Sequence, residues 1–222
     1  MEKKVSIWST VLNSSPIHYK KCRISLLALI KMLHHGTKGG IIEVMGYLRG
    51  KVEGDTFYIM DSYPLPVEGT ETRVNAGNEA LEYTGAYEDL NEVTPVYSFL
   101  NSKIIKLKEN VVGWYHTHPN YGPWLSGIDV STQKLMQTGG DPFIAIVLDP
   151  IRTHISGKVD IGAFRTCPEE SHPGWDDEDQ IIPEEKVKDF GLQYKQYYKL
   201  DVSYYMCDKD NELIDVRGAI CI

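Results

Sequence analysis

The chain has 222 residues, 42% of them hydrophobic, which is enough for one large domain or two small ones. The formal net charge is −8, and the Lys and Arg residues are scattered, which argues against a nucleic-acid-binding protein. No apolar run approaches the ~18 residues of a membrane span, and the N-terminal residues lack the apolar segment of a secretory signal. We therefore expect a protein of the cytoplasm and nucleus that binds neither nucleic acid nor membrane.

The four cysteines are widely separated and include no CxxC pair, so they do not predict a zinc ribbon. Without a secretion signal, the simpler interpretation is reduced thiols. A metal bound by this chain should therefore have histidine and carboxylate ligands. The cysteines are Cys22, Cys167, Cys207 and Cys221.

The N-terminal part of the chain predicts an arm, a helix and a β-hairpin. Residues 1–18 are mixed in composition and indicate an arm or loop. Apolar residues recur with helical spacing from Tyr19 to about His35, and Gly36, the first of three glycines that follow, should end this helix. Two strands come next, IIEVMGYLRG and TFYIMDSYPL, joined by turn residues in GKVEGD.

The remainder of the chain alternates strands and helices around a segment with two histidines. Residues 64–76 indicate a loop, and residues 78–91 indicate a Glu-rich helix. A short strand, VVGWYHTH, precedes the loop NYGPWLSG and the helix IDVSTQKLMQTGG, which two glycines close. PFIAIVLDP predicts a buried strand, HISGKVDIGAFR a turn into another strand, and KVKDFGLQYKQYYKLDVSYYM a further strand. The acidic residues 167–186 indicate an exposed loop. We therefore expect a single α/β domain with a mixed β-sheet over residues 19–206.

His116 and His118 are two residues apart at the end of a predicted strand, where alternate side chains point to the same face. Two imidazoles at this spacing can reach one ion, although an H-x-H pattern alone is weak evidence. Asp129 lies one helical turn into the segment after the loop, so its carboxylate can return toward the strand end. Two histidines and one aspartate with an open fourth position are the ligand pattern of catalytic zinc, which lowers the pKa of bound water to about 7.

Ser126 has two interpretations. In a Ser-x-x-Asp pattern before an apolar run, the serine caps the helix and Asp129 completes a capping box, which would stabilise the helix by ~1 kcal/mol. The same position would also place the Ser126 hydroxyl close to a metal, where it can donate a hydrogen bond to a developing oxyanion. The two interpretations are compatible.

Glu43 is the candidate for the general base that a hydrolase of this kind needs, since the residues between the ligands offer none. It is one charged residue inside an otherwise apolar predicted strand, where a carboxylate needs a partner or a function. The alternative is a glutamate on an edge strand that faces solvent. The strand alone does not decide between them.

Taken together, Glu43, the run His116-Thr117-His118-Pro119, Ser126 and Asp129 resemble the motif of the JAMM (MPN-plus) metalloprotease family. The flanks, which include EVMGYLRGKVEGDTFYIMDSYPLPVEGTETRVNA and GWYHTHPNYGPWLSGIDVSTQ, are most similar to the branch that supplies the catalytic subunit of the COP9 signalosome. The resemblance covers most of the chain. It implies an MPN domain, which is a twisted mixed β-sheet flanked by helices.

The resemblance also implies a zinc-dependent isopeptidase. His116, His118 and Asp129 would hold one zinc ion. Glu43 would take a proton from the attacking water and return it to the leaving lysine amine, and Ser126 would stabilise the tetrahedral intermediate. The signalosome branch removes the ubiquitin-like modifier Nedd8 from cullins, together with other signalosome subunits that include a non-catalytic MPN subunit. The alternatives are a deubiquitinase of the proteasome-lid type and a non-catalytic MPN scaffold.

The chain departs from the family pattern in three places. Thr117 stands where the family commonly has Ser, and its side chain should point away from the metal. Pro123 precedes Trp124 where close relatives commonly carry Cys, and it should stiffen the loop. Residues 207–222 do not match the family's helical continuation, so we expect a C-terminus that is trimmed or naturally short.

Residues 66–107 form an insertion between the hairpin and the strand that carries the histidines, and the resemblance suggests that it covers the site. Within it, Arg73 could pair with Asp129, or Glu71 could approach the zinc water, and either contact would block substrate. The hypothesis is an isolated chain of weak activity that assembly activates. The alternative is a surface loop with no regulatory role.

The remaining histidines and tryptophans of interest should be structural. His34 and His35 should close the first helix, where a positive charge is favourable to the helix dipole. Trp114 and Trp124 flank the two histidines and the loop after them, residues 119–123 (the ligand loop), and both should be packing residues. Trp124 is also a candidate for lining a groove in which an extended tail docks as an added strand.

Overall fold

The structure, a computed structural model, is a mixed β-sheet with helices packed on it, which confirms the α/β class. The described residues are 17–68, 96–97, 104–105, 110–167, 186–188 and 194–206. The strands are β1 (Lys21–Ser25), β2 (Val44–Glu53), β3 (Thr56–Glu68), β4 (Val96–Tyr97), β5 (Ile104–Ile105), β6 (Asn110–Thr117), β7 (Ile144–Asp149), β8 (Asp160–Thr166) and β9 (Tyr197–Tyr205). The helices are α1 (Leu26–Gly39), α2 (Gly127–Gly140) and α3 (Pro150–Ser156), and a 3-10 turn lies at Tyr194–Gln196.

Seven of the strands close into a barrel in the order β1-β3-β2-β6-β7-β8-β9, with β9 paired to β1. The β1–β3, β1–β9 and β6–β7 ladders are parallel, and the other ladders of the barrel are antiparallel. Strands β4 and β5 form a separate two-stranded ladder. The predicted mixed sheet is therefore confirmed, and closure pairs each of its seven strands on both sides. Within the described ranges, no helix combines the length and apolar character that a membrane crossing requires.

The two faces of the barrel wall carry separate hydrophobic clusters. Along β7, Ile146 and Leu148 belong to the cluster that includes residues of α1, whereas Ala145 and Val147 belong to the cluster that includes residues of α2. His116 of β6 lies beside Val147 in the parallel ladder. Side chains opposite each other in a ladder share a face, so His116 points to the α2 side of the wall.

The first helix begins later than predicted. Residues 21–25, which the helical pattern included, form β1, because parallel ladders to β3 and β9 bury Cys22 and Ile24 on one side of that strand. Helix α1 begins directly afterwards, where Ser25 Oγ accepts a hydrogen bond from Ala28 N at 3.1 Å.

The first helix also ends later than predicted. Gly36 lies inside α1, and a Cβ at this position would be 2.9 Å from Thr117 Cγ2, so glycine is what allows the helix to pack against β6. His34 and His35 therefore do not close the helix, and that prediction is wrong. His35 Nδ1 lies 2.8 Å from the Tyr115 hydroxyl, and burial lowers the pKa of His35, which favours a neutral ring.

Two further predictions need correction. Strand β3 extends to Glu68, so residues 64–68 are strand rather than the start of a loop, and they pair with the beginning of β2. The short helix α3 was not expected; Asp149 caps it and Pro150 occupies its first turn, where the fixed φ of proline suits a helix start. The N-terminal arm as far as residue 16, the Glu-rich helix at 78–91, residues 168–185 and residues 207–222 lie outside the described residues.

Candidate metal centre

Three predicted ligands lie together where β6 meets the start of α2. His116 is in β6, His118 follows the end of that strand, and their Nε2 atoms are 3.0 Å apart. Asp129 Oδ2 lies 3.4 Å from His116 Nε2 and 3.6 Å from His118 Nε2. All three side chains are buried. The structure thus brings together the residues that the sequence pattern singled out.

The separations of these three atoms suit a tetrahedral zinc ion. Zinc–nitrogen and zinc–oxygen bonds of about 2.0–2.1 Å place tetrahedral ligand atoms about 3.3 Å apart. The observed separations of 3.0, 3.4 and 3.6 Å bracket that value. Two imidazole nitrogens and a carboxylate are also a donor set that zinc prefers. Within the described residues, His116, His118 and Asp129 form the cluster able to hold a metal ion.

The electrostatics of the cluster favour the metal-binding protonation states of Asp129 and His118. Burial raises the pKa of Asp129, but the imidazoles of His116 and His118 outweigh burial and hold it well below its ordinary value. Burial lowers the pKa of His118, and contacts with Asp129 do not offset this, so the neutral ring is favoured. For His116 burial also lowers the pKa, but the charges of Asp129 and Glu43 leave it raised. A carboxylate and a neutral imidazole are the forms that bind metals.

The ring of His118 is oriented by the loop that follows it. Its Nδ1 lies 3.0 Å from the carbonyl oxygen of Gly122. The ring stacks on Tyr121 with centroids 4.4 Å apart and meets Trp124 edge to face at 5.4 Å. With the Nδ1 proton donated to a carbonyl, Nε2 keeps its lone pair for a metal.

The ring of His116 is oriented by a tryptophan that the following helix holds. It stacks on Trp114 with centroids 4.7 Å apart and an interplanar angle of 16°. Trp114 Nε1 donates to Gln133 Oε1 at 2.8 Å, and Gln133 Nε2 donates to the Phe143 carbonyl at 2.9 Å. Sequence reasoning missed Gln133. Its signal was its position four residues after Asp129, which puts both side chains on one face of the predicted helix.

The structure confirms the prediction that Ser126 is the N-cap residue of α2. Asp129 N donates to Ser126 Oγ at 3.3 Å, and Ser126 N donates to Asp129 Oδ2 at 2.8 Å, so the capping box is complete. Ser126 Oγ also donates to the same carboxylate oxygen at 2.7 Å. That oxygen is the one that faces both imidazoles, so the cap of the helix also aims the carboxylate into the site.

Glu43 directly precedes β2 and is partly buried, so the prediction that it lies within the strand is wrong by one residue. The next residue, Val44, donates its N–H to Thr117 Oγ1 at 2.9 Å, which ties the start of β2 to the residue between the two histidines. Thr117 therefore points away from the imidazoles, as predicted. Because the charge of Glu43 contributes to the raised pKa of His116, its carboxylate acts electrostatically on the cluster.

The three remaining candidate site residues, Trp124, Glu71 and Arg73, are not part of the metal-binding cluster that the structure describes. Trp124 is 1% exposed, and its Nε1 donates to the carbonyl of Tyr121 at 2.9 Å. This position supports packing under the ligand loop and does not support a groove-lining role. Glu71 and Arg73 lie outside the described residues, so the blocking contact proposed for them stays a prediction.

Comparison with known proteins shows one consistent similarity. Residues 17–142 match the family model described as JAB1/Mov34/MPN/PAD-1 ubiquitin protease. The chain is 52% identical over 206 residues to COP9 signalosome complex subunit 5a of Arabidopsis thaliana, which covers 91% of this chain and 54% of that protein. It is 50% identical over 202 residues to COP9 signalosome complex subunit 5 of Drosophila melanogaster, covering 90% of this chain and 58% of that protein. The chain thus spans about half the length of the curated relatives it matches.

Proposed function

Since the chain belongs to the JAB1/Mov34/MPN/PAD-1 ubiquitin protease family, we propose that it is a zinc-dependent isopeptidase that removes Nedd8 from cullins. In this proposal it acts as the catalytic subunit of a COP9 signalosome, in the cytoplasm and the nucleus. The observation that carries the proposal is the convergence of His116 Nε2, His118 Nε2 and Asp129 Oδ2 at tetrahedral separations.

His116, His118 and Asp129 are the proposed zinc ligands. Three protein ligands distinguish a catalytic zinc site from a structural one, which usually has four. Bound zinc supplies a Lewis acid that polarises the scissile carbonyl and lowers the pKa of water. The Gly122 carbonyl keeps the Nδ1 proton of His118 in place, and the Ser126 cap keeps the Asp129 oxygen turned toward both rings.

Glu43 is the proposed proton carrier. Its carboxylate would accept a proton from the water as the water oxygen attacks the isopeptide carbonyl carbon, and would release that proton to the lysine nitrogen as the C–N bond breaks. Its partly buried position and its electrostatic effect on His116 support this role.

Ser126 is the proposed donor to the oxyanion. Its backbone N–H already donates to Asp129 Oδ2 at 2.8 Å, so the hydroxyl contributes a second hydrogen bond to the same oxygen, at 2.7 Å. The hydroxyl can therefore turn toward substrate while the N–H keeps the carboxylate in place. A donor of this kind typically contributes about 10²–10³ in turnover.

The proposed partners follow from the names of the relatives. Both relatives described above are named as subunits of the COP9 signalosome complex. We therefore propose a neddylated cullin as substrate and other signalosome subunits as partners, among them a non-catalytic MPN subunit. The family description names a ubiquitin protease, so ubiquitin is the alternative modifier.

The test is deconjugation of a neddylated cullin by the chain assembled with signalosome subunits. Glu43→Gln should slow turnover by about 10²–10⁴ while zinc content stays unchanged. Glu53→Gln, at the exposed far end of the strand that Glu43 precedes, is the matched control and should turn over like the wild type. Retained turnover in Glu43→Gln would exclude proton transfer by this residue, and full activity without zinc would overturn the mechanism. Faster cleavage of a ubiquitin conjugate than of the Nedd8 conjugate would favour the deubiquitinase.

A further inference from the structure

Asp149 holds the loop that follows His118, although it belongs to neither the ligand set nor the proton carriers. It is the last residue of β7 and is completely buried. Its Oδ1 accepts hydrogen bonds from Asn120 N at 3.0 Å and from Arg152 N at 2.9 Å, and its Oδ2 accepts one from Gly122 N at 2.9 Å. One carboxylate therefore caps α3 and binds two backbone groups of the ligand loop.

The backbone of the ligand loop adopts an unfavourable conformation that the hydrogen bonds to Asp149 stabilise. Asn120 and Gly122 both have positive φ angles, 71° and 80°. For a residue with a side chain, this conformation costs roughly 1 kcal/mol. Backbone N–H groups in a turn of this kind can form a concavity that binds an anion. Here the anion is the carboxylate of Asp149, which contacts one N–H group of the loop with each oxygen.

Gly122 connects Asp149 to His118. Asp149 binds the N–H of Gly122, and the carbonyl of Gly122 lies 3.0 Å from His118 Nδ1. Leu148, the residue before Asp149, accepts a hydrogen bond from His118 N at 2.9 Å. Two consecutive residues of β7 thus fix His118, one through its backbone and the other through the acceptor of its ring proton.

We propose that Asp149 is a positioning residue for the metal centre, because it fixes the Gly122 carbonyl that keeps the His118 proton on Nδ1 and turns Nε2 toward His116 and Asp129. The proposal rests on the proposed function in that His118 is taken as a metal ligand. Without this hold, the loop can relax and the ring can rotate or exchange tautomers. Metal affinity should then fall by about 10–100-fold, the usual effect of losing an outer partner of a metal ligand.

Two substitutions separate this role from plain helix capping. Asp149→Ser keeps an N-cap residue for α3, but its single oxygen cannot serve three N–H groups. Asp149→Asn keeps the shape and one acceptor oxygen, and places an amide donor against a loop or cap N–H group. Ser25→Ala is the matched control, because it removes the N-cap of α1 without a contact to the ligand loop.

The experiment measures zinc affinity by chelator competition and the His118 ring tautomer by ¹⁵N NMR of the zinc-free chain, with the folded state checked by thermal unfolding. Both Asp149 variants should bind zinc about 10–100-fold more weakly and show a mixture of ring tautomers, whereas Ser25→Ala should stay within about twofold of the wild type. If the serine variant does not fold, the asparagine variant decides.

Three outcomes would overturn the proposal: unchanged zinc affinity in the Asp149 variants, an unchanged His118 tautomer, or an equal loss of affinity in Ser25→Ala. A wild-type chain that binds no zinc would instead overturn the proposed function. The tautomer measurement needs no metal, so a shift confined to the Asp149 variants would still support their hold on His118 in that case.

Discussion

Two groups of buried ionisable side chains lie on the barrel, one at Arg165 and one at His116, and their donors and acceptors are arranged in opposite ways. Arg165 Nη1 donates to Asp141 Oδ1 at 2.8 Å and to the Phe143 carbonyl at 2.6 Å, and its guanidinium lies 4.6 Å from the centre of the Tyr19 ring. In this group, positive charge meets negative charge and a π face directly. At His116, by contrast, two imidazole nitrogens and a carboxylate oxygen converge on one point.

The difference shows what distinguishes a binding site from a structural ion pair in this molecule. Arg165 and His116 are both buried, so burial of a polar side chain does not separate the two groups. A structural pair matches each charge with its opposite, since an unpaired buried charge is costly. A set of convergent acceptors is matched when a metal ion, or a proton on one of its rings, joins it. Convergence of acceptors is therefore a better indication of a binding site than burial of a polar side chain.

Asp129→Asn tests the His116 group with the largest expected effect. The asparagine keeps an oxygen for the Ser126 N–H but loses the negative charge that both imidazoles face. Zinc affinity should fall by at least about 1000-fold, because even an outer partner of a ligand is worth 10–100-fold. Zinc content after dialysis and chelator competition measure this. Near-stoichiometric zinc in the variant would remove Asp129 from the ligand set.

Arg165→Met tests the other group and should affect stability instead. It leaves Asp141 unpaired and removes the contact with Tyr19, which should cost about 2–4 kcal/mol in the free energy of unfolding, toward the lower end because Asp141 is partly exposed. Lys51→Met is the control, since the Lys51–Glu53 pair is exposed and its loss should leave the free energy of unfolding close to that of the wild type. Urea unfolding measures both. Zinc affinity should be unchanged, and a loss of zinc in Arg165→Met would show that the two groups are coupled.

Gln133→Leu tests the connection between packing and the site. The change removes the partner of Trp114 Nε1 and one of the two donors to the Phe143 carbonyl, which should cost about 1–3 kcal/mol in stability. Trp114 stacks on His116, so zinc affinity should fall as well, by less than about tenfold. Unfolding and chelator competition on the same samples measure both effects. A loss of zinc as large as that in Asp129→Asn would place Gln133 among the direct ligands.

The candidate site was predictable because its signals are local in sequence. The alternation of a strand placed His116 and His118 on one face, and a Ser-x-x-Asp pattern placed Ser126 and Asp129 at a helix start. Each signal needs fewer than five residues of context. Glu43 was found for a related reason, although the structure places it one residue before the strand.

The parts that could not be predicted depend on contacts between distant residues. Residues 21–25 have both helical and alternating character, and pairing with β9, far along the chain, makes them a strand. Gly36 has the local appearance of a helix end, but its contact with Thr117 makes it a packing position inside α1. Asp149 and Gln133 act on histidines in other elements, so their roles were visible only once the barrel was closed.

A smaller, pH-dependent effect on stability is expected at Cys167. This residue directly follows β8 and lies two residues after Arg165. Burial raises the pKa of the Cys167 thiol from 9.0 to about 11, although Lys134 acts in the opposite direction. The folded protein then keeps a proton that the unfolded chain releases. The thiol's contribution to stability is complete below pH 9 and is lost as the pH rises toward 11. From about pH 8 to about pH 10, the wild type should therefore lose about 1 kcal/mol more than Cys167→Ala in urea unfolding. Equal losses would show that the thiol is as solvated in the folded protein as in the unfolded chain.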